Sequence, residues 1–211
     1  MQKNLKYIAV DGPIGSGKTT LVSMLAEDLK GHAILETSQN NPFLADFYKD
    51  RKRNAFKTQL FFLLNRYQQQ LELKQQDLFR STVVCDYTFA KDAIFAQVNL
   101  SEDEQTLYQT IFHLLQERLP KPDLVIYLRA DSKILLQRIK KRGIDYERSI
   151  HQDYLDHLTD AYNQYFLNYN ETPLLVVDTT STDYIGNPDD YANLKREILN
   201  HRGGTVHLIA R

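Results

Sequence analysis

Asp11-Gly12-Pro13-Ile14-Gly15-Ser16-Gly17-Lys18-Thr19-Thr20 follows the apolar run Tyr7-Ile8-Ala9-Val10 and precedes Leu21-Val22-Ser23-Met24-Leu25-Ala26. The order is strand, glycine-rich loop, helix. Residues 12–19 fit G-x-x-x-x-G-K-[ST], the pattern of a phosphate-binding loop. Gly12, Gly15 and Gly17 can take backbone angles closed to other residues, so successive amide N–H groups turn inward around a polyphosphate. The helix that starts at the loop's end adds unpaired N–H groups and a positive dipole end. Gly12, Pro13, Ile14, Gly15, Ser16, Gly17, Lys18, Thr19 and Thr20 are therefore the candidate nucleotide-holding residues. Lys18 supplies charge near the β- and γ-phosphates, and the Thr19 hydroxyl is placed for Mg²⁺. A glycine-rich turn with a chance lysine would not require these strand and helix flanks.

Outward from this loop, short apolar runs at 7–10, 33–35, 82–85, 124–128 and 174–177 alternate with helical patterns. The alternation predicts an α/β fold with a five-stranded parallel sheet and helices on both faces. Ligands bind beyond the carboxyl ends of the strands in such sheets. Glu36 stands at that end of the second run, although a solvated loop residue would look the same. Thr82-Val83-Val84-Cys85-Asp86 is a strand ending in an acid, the arrangement in which a carboxylate reaches Mg²⁺ beside a phosphate loop. Capping of the next helix by Asp86 is compatible with that role.

Between these runs, Asn41 and Pro42 suit the start of a helix carrying Phe43, Leu44, Phe47 and Tyr48. A long helical pattern covers 55–80; Gln59 and Arg66 lie two turns apart on one side, where exposed polar residues also fall. Lys91-Asp92 sit on a helix whose apolar side is Phe89, Ile94 and Phe95. Ser101-Glu102-Asp103-Glu104 reads as a capping box before the stripe Leu107, Ile111, Leu114 and Leu115. The helix through Ile134, Leu135 and Ile139 ends in Arg138, Lys140, Lys141 and Arg142, then Gly143. The helix dipole alone accounts for such a basic end, and so does a lid that carries arginines to phosphates. The stripe Tyr154, Leu158, Tyr162, Tyr165 and Tyr169 fits core or a subunit interface better than base stacking.

At 211 residues, 42% hydrophobic and 25% charged, the chain has the composition of one ordinary globular domain. A net charge of −1 argues against a global attraction to nucleic-acid polymers or membranes. The single cysteine, Cys85, lies in an apolar run and cannot form an internal disulfide. The six histidines show no metal-ligand spacing. No apolar stretch is long enough to span a bilayer, and none resembles a leader, so a cytoplasmic location is expected.

These motifs, in this order and at these intervals, resemble the deoxyribonucleoside kinase family of the P-loop kinase superfamily. The resemblance implies a single kinase domain over 1–211 with a helical lid at about 138–150. It implies a catalytic base at Glu36, with Lys18, Arg138 and Arg142 around the transferring phosphoryl. It implies sugar contacts from Tyr48 and Glu147, base contacts from Gln59, Arg66 and Asp92, and an acid at Asp86 after the third strand. Many members carry an arginine where Tyr87 stands, and a third lid arginine where Ile144 stands. Tyr87 cannot supply that charge, but it resembles the bacterial deoxyguanosine and deoxyadenosine kinase branch. Thr58 replaces a bulky aromatic found in some pyrimidine-accepting relatives.

The reading is transfer of the γ-phosphoryl of ATP, with Mg²⁺, to the 5′-hydroxyl of a deoxyribonucleoside, preferably a purine, by a homodimer. Two rivals are weighed against it. A nucleoside monophosphate kinase would need arginines at the acceptor phosphate, for which Arg51 and Arg53 are candidates. A non-catalytic nucleotide-binding regulator leaves Glu36 and the lid residues unexplained; Asp183-Tyr184-Ile185-Gly186 matches D-x-x-G without a guanine-reading partner motif.

Overall fold

The computed structural model describes residues 5–75 and 81–208. Its first strand, β1 (Tyr7–Asp11), is buried along its whole length. A strand apolar on both faces needs cover on both, which is the condition for a parallel sheet. The sheet has the order β2-β3-β1-β4-β5-β6, with β2 (His32–Ile34), β3 (Val83–Cys85), β4 (Leu124–Arg129), β5 (Leu174–Asp178) and β6 (Thr205–Leu208). Every pairing is parallel. The expected five strands are thus joined by a sixth. β6 follows Gly203-Gly204 and is mostly exposed, so it lacks the apolar run that marked the other strands. Backbone pairing with β5, from Leu174↔Thr205 to Val177↔Leu208, defines it instead.

One sheet face packs Ile8, Val10 and Ile126 against α1 (Lys18–Asp28) and α8 (Pro188–Asn200) through Leu21, Leu25, Leu194 and Ile198. The opposite face packs Tyr7, Ala9, Val125 and Tyr127 against α4 (Lys91–Asn99) and α7 (Gln152–Leu167). Tyr162 and Leu158 of α7 are fully buried there, so the tyrosine stripe is core. Cys85 is also buried, and burial pushes its thiol well up, out of reach of ordinary nucleophilic chemistry.

A helical layer covers the β2 and β3 side: α2 (Leu44–Lys49), α3 (Arg51–Gln75) and α5 (Glu102–Gln116) meet α4 around Phe47, Leu63, Phe89 and Phe112. α3 begins four residues ahead of the expected start at 55, and the end of that helical pattern, 76–80, lies outside the described residues. Asn41 Oδ1 accepts from the Phe43 N–H at 3.0 Å, a turn that delays α2 to Leu44. The Ser101–Glu104 capping box is present, with Ser101 N–H donating to Glu104 Oε2 at 3.0 Å. α6 (Ser132–Arg142) stops at Gly143, whose φ of 72° is the left-handed cap that glycine favours. A 3-10 turn, Asp145–Ser149, then folds back beneath α2, with Ser149 Oγ donating to the Tyr48 carbonyl at 3.1 Å.

Candidate active site

The phosphate loop spans β1 to α1. Gly12 has φ 152°, and a Cβ there would lie 2.3 Å from the Leu128 carbonyl oxygen. Gly17 has φ 95°, and its Cβ would lie 2.3 Å from the Tyr184 hydroxyl. Both glycines are therefore required by positive φ and by close approach. Asp11 anchors the loop to the next strand's exit. It accepts from Gly12 N–H at 2.7 Å and from Tyr162 Oη at 3.0 Å, and its other oxygen accepts from Thr88 N–H at 3.1 Å. That anchor sets the end of β3 beside the loop. Thr19 Oγ1 then donates to Asp86 Oδ2 at 3.0 Å, and Glu36 N–H donates to Asp86 Oδ1 at 2.7 Å. Lys18 folds back on its own loop, Nζ donating to the carbonyls of Gly12 at 2.8 Å and Pro13 at 2.9 Å. Burial and the neighbouring Lys91 ammonium pull Lys18 down to about 7, against Asp11, Asp86 and Glu36.

A cavity of about 150 Å³ opens beside the loop. Its wall includes Ile14, Gly15, Lys18, Thr19, Glu36, Tyr48, Gln59, Arg66, Asp86, Arg142 and Glu147. The side chains expected at the acceptor end thus converge from five separate parts of the chain. Gln59 and Arg66 are buried, not exposed as their helical spacing alone would allow. Asp92 sits behind Arg66 with no exposure and pairs with it. Tyr48 stacks on Tyr146 with ring centroids 5.9 Å apart. Arg142 donates to both Glu147 carboxylate oxygens, at 2.7 and 2.6 Å.

Arg138 departs from the expected constellation. It donates to Thr179 Oγ1 at 3.0 Å and to the Thr179 carbonyl at 2.7 Å, and it lines a second cavity of about 610 Å³. That cavity runs along Gly15, Gly17, Thr20, Lys141 and 182–186, on the outer side of the loop. The D-x-x-G match at 183–186 closes a turn there, Gly186 N–H donating to Asp183 Oδ1 at 2.9 Å. Arg51 and Arg53 do not line the acceptor cavity; the Arg51 guanidinium lies 3.9 Å over the Tyr154 ring. A larger groove of about 880 Å³ along α7 and β5 contains none of these residues or the phosphate loop.

The electrostatics centre on Glu36. Burial alone would raise its carboxyl, but the Arg66 guanidinium and the Lys91 ammonium outweigh that and hold it at about 2. Arg66 touches one carboxylate oxygen, and Lys91 Nζ lies 2.6 Å from the other. Asp92 goes the other way. Burial lifts it to about 6 although Arg66 opposes the shift. Lys91 was not singled out by sequence, although it directly precedes Asp92 and opens a helix, where a cation is unfavourable. Phe47, Phe62, Phe95 and Tyr146 are further flat walls of the cavity, and no sequence pattern marked them as such. Tyr87 is buried in the core, its hydroxyl donating to Gln69 Oε1 at 2.7 Å and its ring 5.5 Å from the Arg66 guanidinium carbon.

A phosphate loop joined through Asp11 and Asp86 to a cavity lined by Glu36, Gln59 and Arg66 defines a P-loop phosphotransferase acting on a small acceptor. More closely, the chain belongs to the deoxynucleoside kinase family, whose pattern matches residues 8–202. It is 36% identical to the deoxyguanosine kinase of Bacillus subtilis over 91% of this chain and 95% of that one. It is 32% identical to the deoxyadenosine kinase of Lactobacillus acidophilus over 92% and 94% of the two chains. The deoxyadenosine kinase of M. mycoides with bound dATP superposes with a TM-score of 0.80 at 27% identity, covering 91% of this chain and 98% of that one. The same kinase with bound dCTP gives 0.77 at 28% identity over the same shares.

Proposed function

We propose that the chain transfers the γ-phosphoryl of ATP to the 5′-hydroxyl of deoxyguanosine or deoxyadenosine, in nucleotide salvage. The observation that carries this is one cavity shared by Lys18, Glu36, Gln59 and Arg66: phosphate end, acid and base-reading groups in a single enclosure. Gln59 offers both a donor and an acceptor to a base edge, and the Arg66–Asp92 pair supplies charge at the same end. Thr58 is a small side chain on that wall, its hydroxyl turned to the Asn54 carbonyl, which leaves width for a second ring. The relatives named for purine deoxynucleosides support the same choice.

In the reaction, Glu36 accepts the hydroxyl proton, and its depressed pKa keeps it ionised throughout the working range. Lys18 leaves its loop carbonyls for the donor phosphates. Arg142 supplies a further cation from the lid, proposed at about 138–150, and Arg138 enters by leaving Thr179. Glu147 and Tyr48 hold the sugar from the lid turn and α2. Thr19 and Asp86 present hydroxyl and carboxylate oxygens side by side, a hard donor pair that fits Mg²⁺ completed by phosphates and water. Held by these two residues, Mg²⁺ would supply positive charge against the donor phosphates.

We further propose a cytoplasmic homodimer. α5 presents Leu107 and Leu114, 54% and 68% exposed, and the adjacent α3 presents Leu64, 49% exposed. No helix of the described residues is long and apolar enough to cross a membrane.

The test is a panel of four deoxynucleosides with ATP·Mg²⁺. Deoxyguanosine or deoxyadenosine should give the highest kcat/KM, because a wrong base edge leaves buried polar groups unpaired. Thymidine or deoxycytidine in first place would overturn the purine reading. Turnover of monophosphates but not nucleosides would overturn the acceptor itself.

A further inference from the structure

Lys91 has no part in the reaction as described so far. It is the first residue of α4, its side chain 7% exposed, with Nζ 2.6 Å from Glu36 Oε2. The position is costly for a cation. Burial strips most of its hydration. The first turn of a helix is the positive end of the dipole. Lys18 is close enough that, after burial, Lys91 is the main influence lowering it. Glu36 already has a guanidinium on its other oxygen, although Arg66 shares its charge with Asp92. Lys91 also lines the cavity itself, together with Gly15, Lys18, Glu36 and Asp86. It therefore faces the space between the acid and the phosphate loop.

The geometry puts this ammonium at the reacting atoms. A hydroxyl served by Glu36 lies about 2.6–3.2 Å from the carboxylate. If both groups use Oε2, the hydroxyl oxygen is no more than about 6 Å from Lys91 Nζ. An oxygen of a phosphoryl group joined to that hydroxyl, and turned toward Lys91, can then come within hydrogen-bond reach of the ammonium. We propose that Lys91 is a second catalytic lysine, its ammonium bridging the Glu36 carboxylate and the phosphoryl group in transit. The proposal rests on phosphoryl transfer in this cavity. As the acceptor oxygen bonds to phosphorus, its proton passes to Glu36. The bond from phosphorus to the donor's bridging oxygen breaks, and its electron pair leaves on the diphosphate. Lys91 keeps its proton and donates N–H groups to Glu36 and to a phosphoryl oxygen.

A group that is only a countercharge acts through Glu36 alone; a catalytic cation acts without it too. The experiment is single-turnover phosphorylation of deoxyguanosine and deoxyadenosine by ATP·Mg²⁺, with K91M in the native and the E36Q backgrounds. Alone, K91M should lose about 10²–10³-fold in the chemical step, the scale of one charge-stabilising donor, with nucleoside KM within about threefold. In the E36Q background it should still cost at least about tenfold. Equal rates with and without Lys91 in the E36Q background would overturn the proposal, as would a raised KM with kcat unchanged. K91Q replaces K91M in every arm if thermal melts show K91M unfolded. Native protein that phosphorylates neither nucleoside refutes the functional reading and this role with it; active native protein with an inconsequential K91M refutes the role alone.

Discussion

Glu36→Gln removes one charge and almost no volume, so its consequences can be worked from the ion pairs around it. The carboxyl is held at about 2 by Arg66 and Lys91 despite burial. Against an unfolded value of about 4.3, that corresponds to about 3 kcal/mol of stability at pH 7. The sign follows from the depressed folded value: this stability is complete above about pH 4.3 and is lost as pH falls toward about 2. E36Q should therefore unfold at lower urea than the native protein at pH 7, by about 3 kcal/mol, and the gap should shrink toward pH 3. Activity should separate from binding. The amide keeps an oxygen facing the cavity, so nucleoside binding persists, while kcat falls about 10²–10⁴-fold for want of a proton acceptor. Urea titrations across pH and rapid-quench turnover measure the two effects. A stability gap that does not change with pH would refute the ion-pair account. An unchanged chemical rate would refute Glu36 as the base.

Three further outcomes are expected. Lys18→Ala should abolish turnover, with at least about a 10³-fold loss, while circular dichroism stays native, because its ammonium hydrogen-bonds to two carbonyls of its own loop in the free protein. Burial raises Asp92 to about 6, so its stabilising contribution is complete below about pH 3.9 and lost as pH rises through about 6; the native protein should lose stability relative to D92N between about pH 4 and 6 and level off above that, and parallel urea midpoints would contradict this. Leu107→Lys with Leu114→Lys should convert a dimer to a monomer in light scattering, since both are exposed on α5; an unchanged dimer mass would place the interface elsewhere, and a native mass of one chain would remove the dimer altogether.

Much of the site could be read without coordinates because its parts are local. The phosphate loop is a contiguous pattern with a geometric requirement at each glycine, and the structure meets it at Gly12 and Gly17. Glu36 and Asp86 could be placed because each ends an apolar run, and strand ends share one rim of a parallel sheet. The Ser101–Glu104 cap and the Gly143 stop are likewise local chemistry.

Tertiary structure decided what depends on partners distant in sequence. β6 exists through its pairing with β5, and its own residues have no apolar signature. Helical spacing could not say whether Gln59 and Arg66 face water; packing of α3 against α4 buries both and joins Arg66 to Asp92. Arg138 reads the same as Arg142 in a basic helix end, and both line the outer cavity one helical turn apart, yet one binds Thr179 and the other binds Glu147 and also reaches the acceptor cavity, because the partners come from different parts of the folded chain. Lys91 shows the limit most clearly. Nothing within its helix favours a buried ammonium there, and only the fold brings Glu36 to it across 55 residues of chain.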